Sequence, residues 1–211
     1  MPRISMHDMK RSESGPEVVK RKAQSEMTRK QERYEIILAG SGGQGLVLAG
    51  IMLGEAAVLE GRNVVQTQSY GIASRGGLSL AEVIIDRQEI IYQQVQEPDI
   101  ILALTEEALE KYAGLSEKGT RIFYDATLAK PRAGTKLTGY PFTKIASDLG
   151  NVASVNILSL GAMIAAIPMV KPESLTGVIR KRFHGKALEM NLKAFQTGME
   201  LSSKGEQATW E

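Results

Sequence analysis

Short apolar runs alternate with stretches of helical spacing along most of the chain. Five runs rich in apolar and β-branched residues predict strands. They are Tyr34–Ala39, Asn63–Thr67, Leu78–Asp86, Asp99–Leu104 and Arg121–Asp125. This alternation is typical of an α/β fold in which helices flank a mainly parallel sheet.

Helical spacing follows the first strand and dominates the C-terminal third. Leu46–Leu59 repeats apolar residues at helical intervals, and its Gly50 and Gly54 are small enough to let the helix pack closely on the sheet. Thr105 is a suitable N-cap for a helix that follows the fourth strand. Four more helices are predicted at Lys144–Leu149, Val155–Ile167, Pro172–Phe183 and Lys186 to about Leu201.

The two ends of the chain differ from its centre. Residues 1–32 are charged, poor in large apolar side chains and without sustained periodicity. Such a segment cannot bury enough apolar surface to offset the entropy of ordering. We therefore predict a flexible N-terminal extension over residues 1–32, one folded domain over 33–201 and a frayed tail over 202–211.

Charge is concentrated at the N-terminus. The chain has 26 Lys and Arg against 24 Asp and Glu, and residues 1–33 hold nine of the basic and five of the acidic ones. The remainder is nearly neutral, whereas a nucleic-acid-binding fold would show a basic face. We expect no nucleic-acid partner for the folded domain.

Composition excludes several kinds of chemistry. The chain has no cysteine, which excludes disulfides, iron–sulfur ligation by thiolates and a cysteine nucleophile. Its two histidines, His7 and His184, are too far apart in the chain to assemble a zinc site of the usual His/Cys kind. We therefore expect no metal site in this polypeptide, and a Ser-His-Asp triad is poorly supported.

No membrane segment is expected. The first thirty residues lack the continuous apolar segment of a signal peptide. The longest apolar stretch, Val155–Val170, is interrupted by polar residues, glycine and proline, and it is shorter than the roughly 20 residues that span a bilayer. These features predict a cytoplasmic protein.

A glycine-rich segment joins the first predicted strand to the first predicted helix. It fits G-x-G-x-x-G and consists of Gly40, Ser41, Gly42, Gly43, Gln44 and Gly45, which we call the glycine turn. Glycines allow close backbone approach, and the N–H groups and positive dipole of a helix N-terminus favour phosphate oxygens. No Gly-Lys-Ser/Thr follows, so a P-loop is excluded. A tight turn that binds nothing remains the alternative.

One residue that NAD binding requires is missing from its expected position in the sequence. The acid that binds the ribose hydroxyls belongs at the end of the second strand, where the chain has Gln66, Thr67 and Gln68. Glu60 lies about twenty residues on but precedes that strand. A different phosphate-bearing ligand, such as coenzyme A, is therefore favoured over NAD.

A second candidate segment follows the second strand. Residues 66–77 read as a polar, glycine-rich loop that starts at the carboxyl end of this strand, which is the edge of a parallel sheet where ligands bind. Tyr70 could stack on a base or a partner, and Arg75 could hold a phosphate or carboxylate by two hydrogen bonds. The candidate residues are Ser69, Tyr70, Arg75 and Gly76. A solvated loop with a surface arginine is the alternative.

Four segments together carry a family resemblance. They are GSGGQGLVLAGIMLGEAA at 40–57, VVQTQSYGIASRGGLSLAEVII at 64–85, EPDIILAL at 97–104 and FHGKALEMNLKAF at 183–195. In order and spacing they closely resemble the gamma subunit of 2-oxoacid:ferredoxin oxidoreductases, over about residues 33–200. One departure is the Ile-Ala-Ser sequence at 72–74, where family members usually read Pro-Glu-Ala. The missing glutamate removes any partner contact that it would make.

The resemblance implies an activity that is divided among subunits. It implies oxidative decarboxylation of a 2-oxoacid on thiamine diphosphate, electron transfer through iron–sulfur clusters to ferredoxin, and capture of the acyl group by coenzyme A. Thiamine diphosphate, Mg and the clusters would lie on partners: alpha and beta thiamine-binding subunits and a ferredoxin-like delta subunit. The isolated chain is expected to be inactive.

For this chain the resemblance implies a role in binding. The glycine turn would receive the phosphate-bearing part of coenzyme A, and Ser69, Tyr70 and Arg75 would flank it or face the thiamine-binding partners. The QTQSYG and HGKALEMNLKAF segments favour 2-oxoglutarate as substrate, with pyruvate, branched-chain and aryl 2-oxoacids left open. Two alternatives remain: a stand-alone NAD-dependent dehydrogenase, and a purely structural assembly subunit whose glycines serve packing alone.

Overall fold

A mixed sheet forms the centre of the computed structural model, which describes residues 33–70, 77–130 and 137–203. Its strands are β1 (Tyr34–Ser41), β2 (Asn63–Tyr70), β3 (Leu78–Asp86), β4 (Ile100–Ala103), β5 (Arg121–Asp125) and β6 (Thr138–Tyr140). They lie in the order β2-β3-β1-β4-β5-β6. β1, β4, β5 and β6 run parallel, while β3 is antiparallel to both of its neighbours. The predicted α/β fold with a mainly parallel sheet is confirmed.

Helices cover both faces of the sheet. They are α1 (Leu46–Leu59), α2 (Glu106–Tyr112), α3 (Phe142–Asp148), α4 (Val155–Ala166), α5 (Pro172–Arg182) and α6 (Gly185–Ser203), with 3-10 turns at Ala113–Lys118 and Val152–Ser154. Among the described helices, none is both long and apolar enough to cross a bilayer. The predicted extension over residues 1–32 lies outside the described residues, as does the tail from residue 204 onward.

The core has two parts because β1 is buried on both faces. Ile36 and Leu38 point to a large cluster formed with α1 and α3 to α6, whereas Ile37 and Ala39 point to a smaller cluster formed with α2. Burial on both faces explains why the central strands are almost continuously apolar.

The prediction that α1 packs closely on the sheet is confirmed at both glycines. A Cβ atom at Gly50 would lie 3.2 Å from Val83 Cγ2, and one at Gly54 would lie 3.0 Å from Val64 Cγ1. Real Cβ atoms rarely approach other heavy atoms so closely, because packed interiors leave no such overlap. The glycines therefore set the distance between α1 and the β2–β3 pair.

Some element boundaries differ from the prediction. β2 continues past Thr67 to Tyr70, since β3 pairs with it along its whole length and the ladder overrides the polar composition. The three-residue strand β6 was not predicted, because so short a segment shows no periodicity. α3 begins at Phe142, two residues before the predicted start.

Asp125 fixes the start of α3. Its carboxylate is fully buried at the end of β5 and accepts hydrogen bonds from the N–H of Thr127 (3.0 Å) and from the N–H and hydroxyl of Thr143 (3.0 and 2.5 Å). One side chain thus satisfies one loop donor, the N–H of Thr127, and two donors of Thr143 in the first helical turn.

Replacing Asp125 with alanine is expected to lower the free energy of unfolding by about 3 kcal/mol, since it removes a fully buried carboxylate that accepts three hydrogen bonds and leaves the half-buried N–H and hydroxyl of Thr143 without their acceptor. Denaturant unfolding checks this. Asp148→Ala is the control, because Asp148 pairs with Lys144 at an exposed position and should cost less than about 1 kcal/mol. Equal stability of the two variants would contradict the assignment.

Candidate functional site

The structure brings the glycine turn and the start of the second candidate segment to one edge of the sheet. Ser79 of β3 pairs with Gly40 of β1 on one side and with Tyr70 of β2 on the other. Neighbouring strands lie about 4.8 Å apart, so the backbones of Gly40 and Tyr70 are roughly 10 Å apart. β1 and β2 run in the same direction and end at this edge, next to the carboxyl end of β4.

The tip of the glycine turn is exposed and its backbone needs glycine. Gly42 and Gly43 are exposed, while Ser41, Gln44 and Gly45 are half-buried. Gly43 has φ +89° and Gly45 has φ +72°, values at which other L-residues are strained. The turn therefore reverses the chain through two left-handed residues before α1 begins.

Gln44 points into the protein. Its Oε1 accepts a hydrogen bond from the N–H of Ser41 (2.8 Å), and its Nε2 donates to the carbonyl of Leu104 (3.1 Å). The side chain thereby ties the turn to the carboxyl end of β4. The side-chain amide of Gln44 thus shapes the turn, and a ligand contact by Gln44 stays a prediction.

Asn156 is a residue of the site that the sequence reasoning missed. It lies in the first turn of α4, is 2% exposed, and its Nδ2 donates to the carbonyl of Gly45 (3.0 Å). Its Oδ1 accepts from the N–H of Ile157 (2.9 Å). The one amide side chain at the start of a mainly apolar helix was the signal that could have indicated it.

Backbone donors of the turn are open. Within the described residues, the N–H groups of Gly42 and Gly43 have no acceptor. No side chain caps α1 at Gly45, and its first turn holds no acidic residue. The N–H groups of a first helical turn lack intrahelical partners and carry partial positive charge. This arrangement can hold an anionic group such as a phosphate.

The second candidate segment is described only in part. Ser69 and Tyr70 belong to β2, opposite Leu80 and Ser79, which corrects their prediction as loop residues. Ser69 is exposed at this edge. Arg75 and Gly76 lie outside the described residues.

The strand order weighs against the NAD alternative. In a dinucleotide-binding fold the second strand lies directly beside the first. Here β3 separates β1 from β2, so a residue at the end of β2 is one strand further from the turn than the ribose-binding acid would be. The end of β2 therefore has no ribose-binding acid, and it does not lie where that acid would be.

A charged cluster occupies the opposite edge of the sheet. Arg33 donates to Glu35 (2.6 Å) and to Asp86 (3.0 Å), and Glu35 also accepts from the backbone of Gln96 (2.7 Å). Burial acts to lower the pKa of Arg33, but the hydrogen bonds and attraction of both carboxylates outweigh it and raise the pKa. Arg33 thus stays charged at every physiological pH, and the cluster serves to anchor the loop after β3.

Comparisons with known proteins show the family of the chain. The family model described as pyruvate ferredoxin/flavodoxin oxidoreductase matches residues 35–201. The 2-oxoglutarate synthase subunit KorC of Archaeoglobus fulgidus is 39% identical over 170 residues, which cover 80% of this chain and 88% of that protein. The pyruvate/ketoisovalerate oxidoreductases common subunit gamma of Pyrococcus abyssi is 35% identical over 176 residues, covering 79% of this chain and 95% of that protein.

A solved structure shows the same fold. The gamma subunit of keto/oxoacid ferredoxin oxidoreductase from Geobacter sulfurreducens is 36% identical, with a TM-score of 0.73 over 82% of this chain and 97% of that one. The family model covers most of the chain, and these relatives match it over nearly their whole lengths. The chain therefore belongs to the pyruvate ferredoxin/flavodoxin oxidoreductase family and is a gamma-type subunit of a 2-oxoacid:ferredoxin oxidoreductase.

Proposed function

We propose that this subunit helps to form the coenzyme A site of a 2-oxoacid:ferredoxin oxidoreductase whose substrate is 2-oxoglutarate. The observation that carries the proposal is the pair of N–H groups of Gly42 and Gly43, which have no acceptor in the described part of the chain, beside the N-terminus of α1, where no side chain caps the helix. The glycine turn receives the phosphate-bearing part of coenzyme A, and the end of β2 with Arg75 flanks it.

The contribution of this chain is electrostatic and positional. Coenzyme A carries phosphate groups that are anionic at neutral pH and a thiol at the end of a long arm. Holding the phosphates restricts where the thiol can reach, which raises its effective concentration at the acyl group. Backbone N–H groups and the helix dipole neutralise part of the phosphate charge without a reacting side chain.

The chemical steps fall to the partner subunits. The chain has no cysteine, so the iron–sulfur clusters that pass electrons to ferredoxin are held elsewhere, on a ferredoxin-like delta subunit or another partner. Thiamine diphosphate with Mg, held by the alpha and beta subunits, would support loss of carbon dioxide from the 2-oxoacid. The two electrons released by oxidation to the acyl level would pass to the clusters, and the acyl group would pass to the thiol of coenzyme A. We place the complex in the cytoplasm.

The choice of 2-oxoglutarate rests on the relatives. The KorC subunit belongs to a 2-oxoglutarate synthase and is more similar to this chain than the gamma subunit shared by pyruvate and ketoisovalerate enzymes. This supports 2-oxoglutarate over pyruvate and branched-chain 2-oxoacids.

Anaerobic purification of the tagged chain from its native host tests the proposal. The co-purifying subunits are identified, and reduction of a viologen is assayed with 2-oxoglutarate, pyruvate or 2-oxoisovalerate, each with and without coenzyme A. We expect thiamine- and cluster-bearing partners and a coenzyme A-dependent activity with the highest kcat/KM for 2-oxoglutarate. Preference for another 2-oxoacid would overturn the substrate, and recovery without partners or activity would overturn the function.

A further inference from the structure

We propose that Asn156 is a positioning residue for coenzyme A: its buried amide holds the glycine turn in the conformation that presents the N–H groups of Gly42, Gly43 and the first turn of α1. This inference rests on the proposed function of the turn. Asn156 itself is 2% exposed, so it acts through the backbone that it binds.

The carbonyl of Gly45 is the point of contact. It accepts one hydrogen bond from the N–H of Ala49 (2.9 Å) and a second from Nδ2 of Asn156 (3.0 Å). A carbonyl oxygen has two lone pairs, so both are used. Because the peptide group is planar, fixing this carbonyl also fixes the direction of the N–H of Leu46, the first open donor of α1.

Gln44 restrains the other side of the turn. Its Oε1 holds the N–H of Ser41, and its Nε2 is anchored on the carbonyl of Leu104. The planar peptide group between Gly40 and Ser41 is therefore fixed as well. Gly42 and Gly43 lie between these two restrained peptide groups, and an anion binds more tightly to donors that need not be ordered on binding.

The side chain of Asn156 lies directly against Gly45. A Cβ atom on Gly45 would lie 2.5 Å from Nδ2 of Asn156, so the amide is in direct contact with the backbone of the turn. Its orientation is defined, because Oδ1 accepts from the N–H of Ile157 and leaves Nδ2 to donate. Alanine would remove the donor, whereas aspartate would place an acceptor against a carbonyl oxygen in a buried position.

The helix that carries Asn156 gives it a rigid base. Ten consecutive residues of α4, from Val155 to Ile164, are buried. Backbone atoms of α6 approach α4 so closely that a Cβ atom on Gly161 would lie 2.4 Å from the carbonyl oxygen of Phe195. Asn156 thus connects the turn to a pair of closely packed helices.

The test uses the intact complex with Asn156→Ala and a matched control. Asn191 is also buried, and its Nδ2 donates to the carbonyl of Ala187 (2.9 Å) within α6. We expect Asn156→Ala to raise the KM for coenzyme A about tenfold, as for loss of a positioned hydrogen bond, with the KM for the 2-oxoacid and the kcat at saturating coenzyme A within about twofold. Asn191→Ala should change none of these values by more than about twofold.

Two further variants separate the possible outcomes. Asn156→Ser retains a donor, so a smaller rise in the KM for coenzyme A, about threefold, supports the inference even if the alanine variant fails to assemble. Equal losses in Asn156→Ala and Asn191→Ala overturn it in favour of a purely structural role. An unchanged KM in Asn156→Ala, with a raised KM in Gly42→Asp, overturns the inference but leaves the proposed function intact. An unchanged KM in both overturns the proposed function.

Discussion

Replacing Gly42 with aspartate is expected to raise the KM for coenzyme A at least about tenfold without disturbing the fold. Gly42 is exposed, a Cβ atom there would meet nothing within 4 Å, and its φ lies outside the left-handed region. The side chain is therefore tolerated. Its carboxylate would stand beside the proposed phosphate position, where repulsion between like charges near a protein surface amounts to about 1–4 kcal/mol. Each 1.4 kcal/mol or so corresponds to a tenfold change in affinity.

Two controls isolate the effect of charge at the turn. Gly42→Asn adds a side chain of the same size without the charge and should raise the KM for coenzyme A by less than about threefold. Gly114→Asp adds the same charge at another glycine with open space, in the 3-10 turn after α2. The assay is steady-state turnover of the intact complex. If Gly42→Asp and Gly114→Asp behave alike, the turn does not contact the coenzyme.

Gly198→Ala is expected to destabilise the chain by about 3 kcal/mol or more, near the upper end of overpacking costs. A Cβ atom at this position of α6 would lie 2.0 Å from the carbonyl oxygen of Leu158 in α4. This carbonyl oxygen belongs to the backbone of a buried helix, so no side-chain rotation can relieve the clash. The two helices would have to separate and lose contacts along their length.

Gly177→Ala provides the control, because Gly177 also lies inside a helix but is exposed with nothing near its Cβ position. There alanine should stabilise by about 0.5–1 kcal/mol by removing backbone freedom from the unfolded chain. Chemical denaturation of both variants measures the difference. Equal stabilities would show that α4 and α6 can move apart at little cost, and Asn156 would then lose its rigid base.

Local pattern was sufficient for most of the fold. Leu46–Leu59, Leu78–Asp86 and Arg121–Asp125 were predicted with the boundaries that the structure has. Thr105 caps α2 as expected, since its side chain accepts from the N–H of Ala108. These features depend on side-chain periodicity and capping, which are properties of neighbouring residues.

The pairing of strands that lie far apart in the chain could not be predicted from local pattern. β2 extends to Tyr70 only because β3 lies alongside it, and the order of strands places β3 between β1 and β2. Neither the end of β2 at Tyr70 nor its position beside β3 can be deduced from the composition of NVVQTQSY. Strand assignment depends on neighbours as much as on intrinsic preference.

In the candidate site, too, local pattern predicted some features, whereas others depend on contacts between distant residues. Its glycines were recognised from spacing and context, because a left-handed turn before a helix requires them. The roles of Gln44 and Asn156 depend on contacts with Leu104 and Gly45, which are 60 and 111 residues away in the chain. No local pattern predicts which side chain meets a given carbonyl over such separations.

Hydrogen–deuterium exchange of the intact complex, with and without coenzyme A, tests the central claim most directly. If the glycine turn holds the coenzyme, its presence should slow exchange of the amides in residues 41–48, while those in the 3-10 turn Ala113–Lys118 keep their rates. Protection confined to the partner subunits, with unchanged exchange over residues 41–48, would contradict the claim.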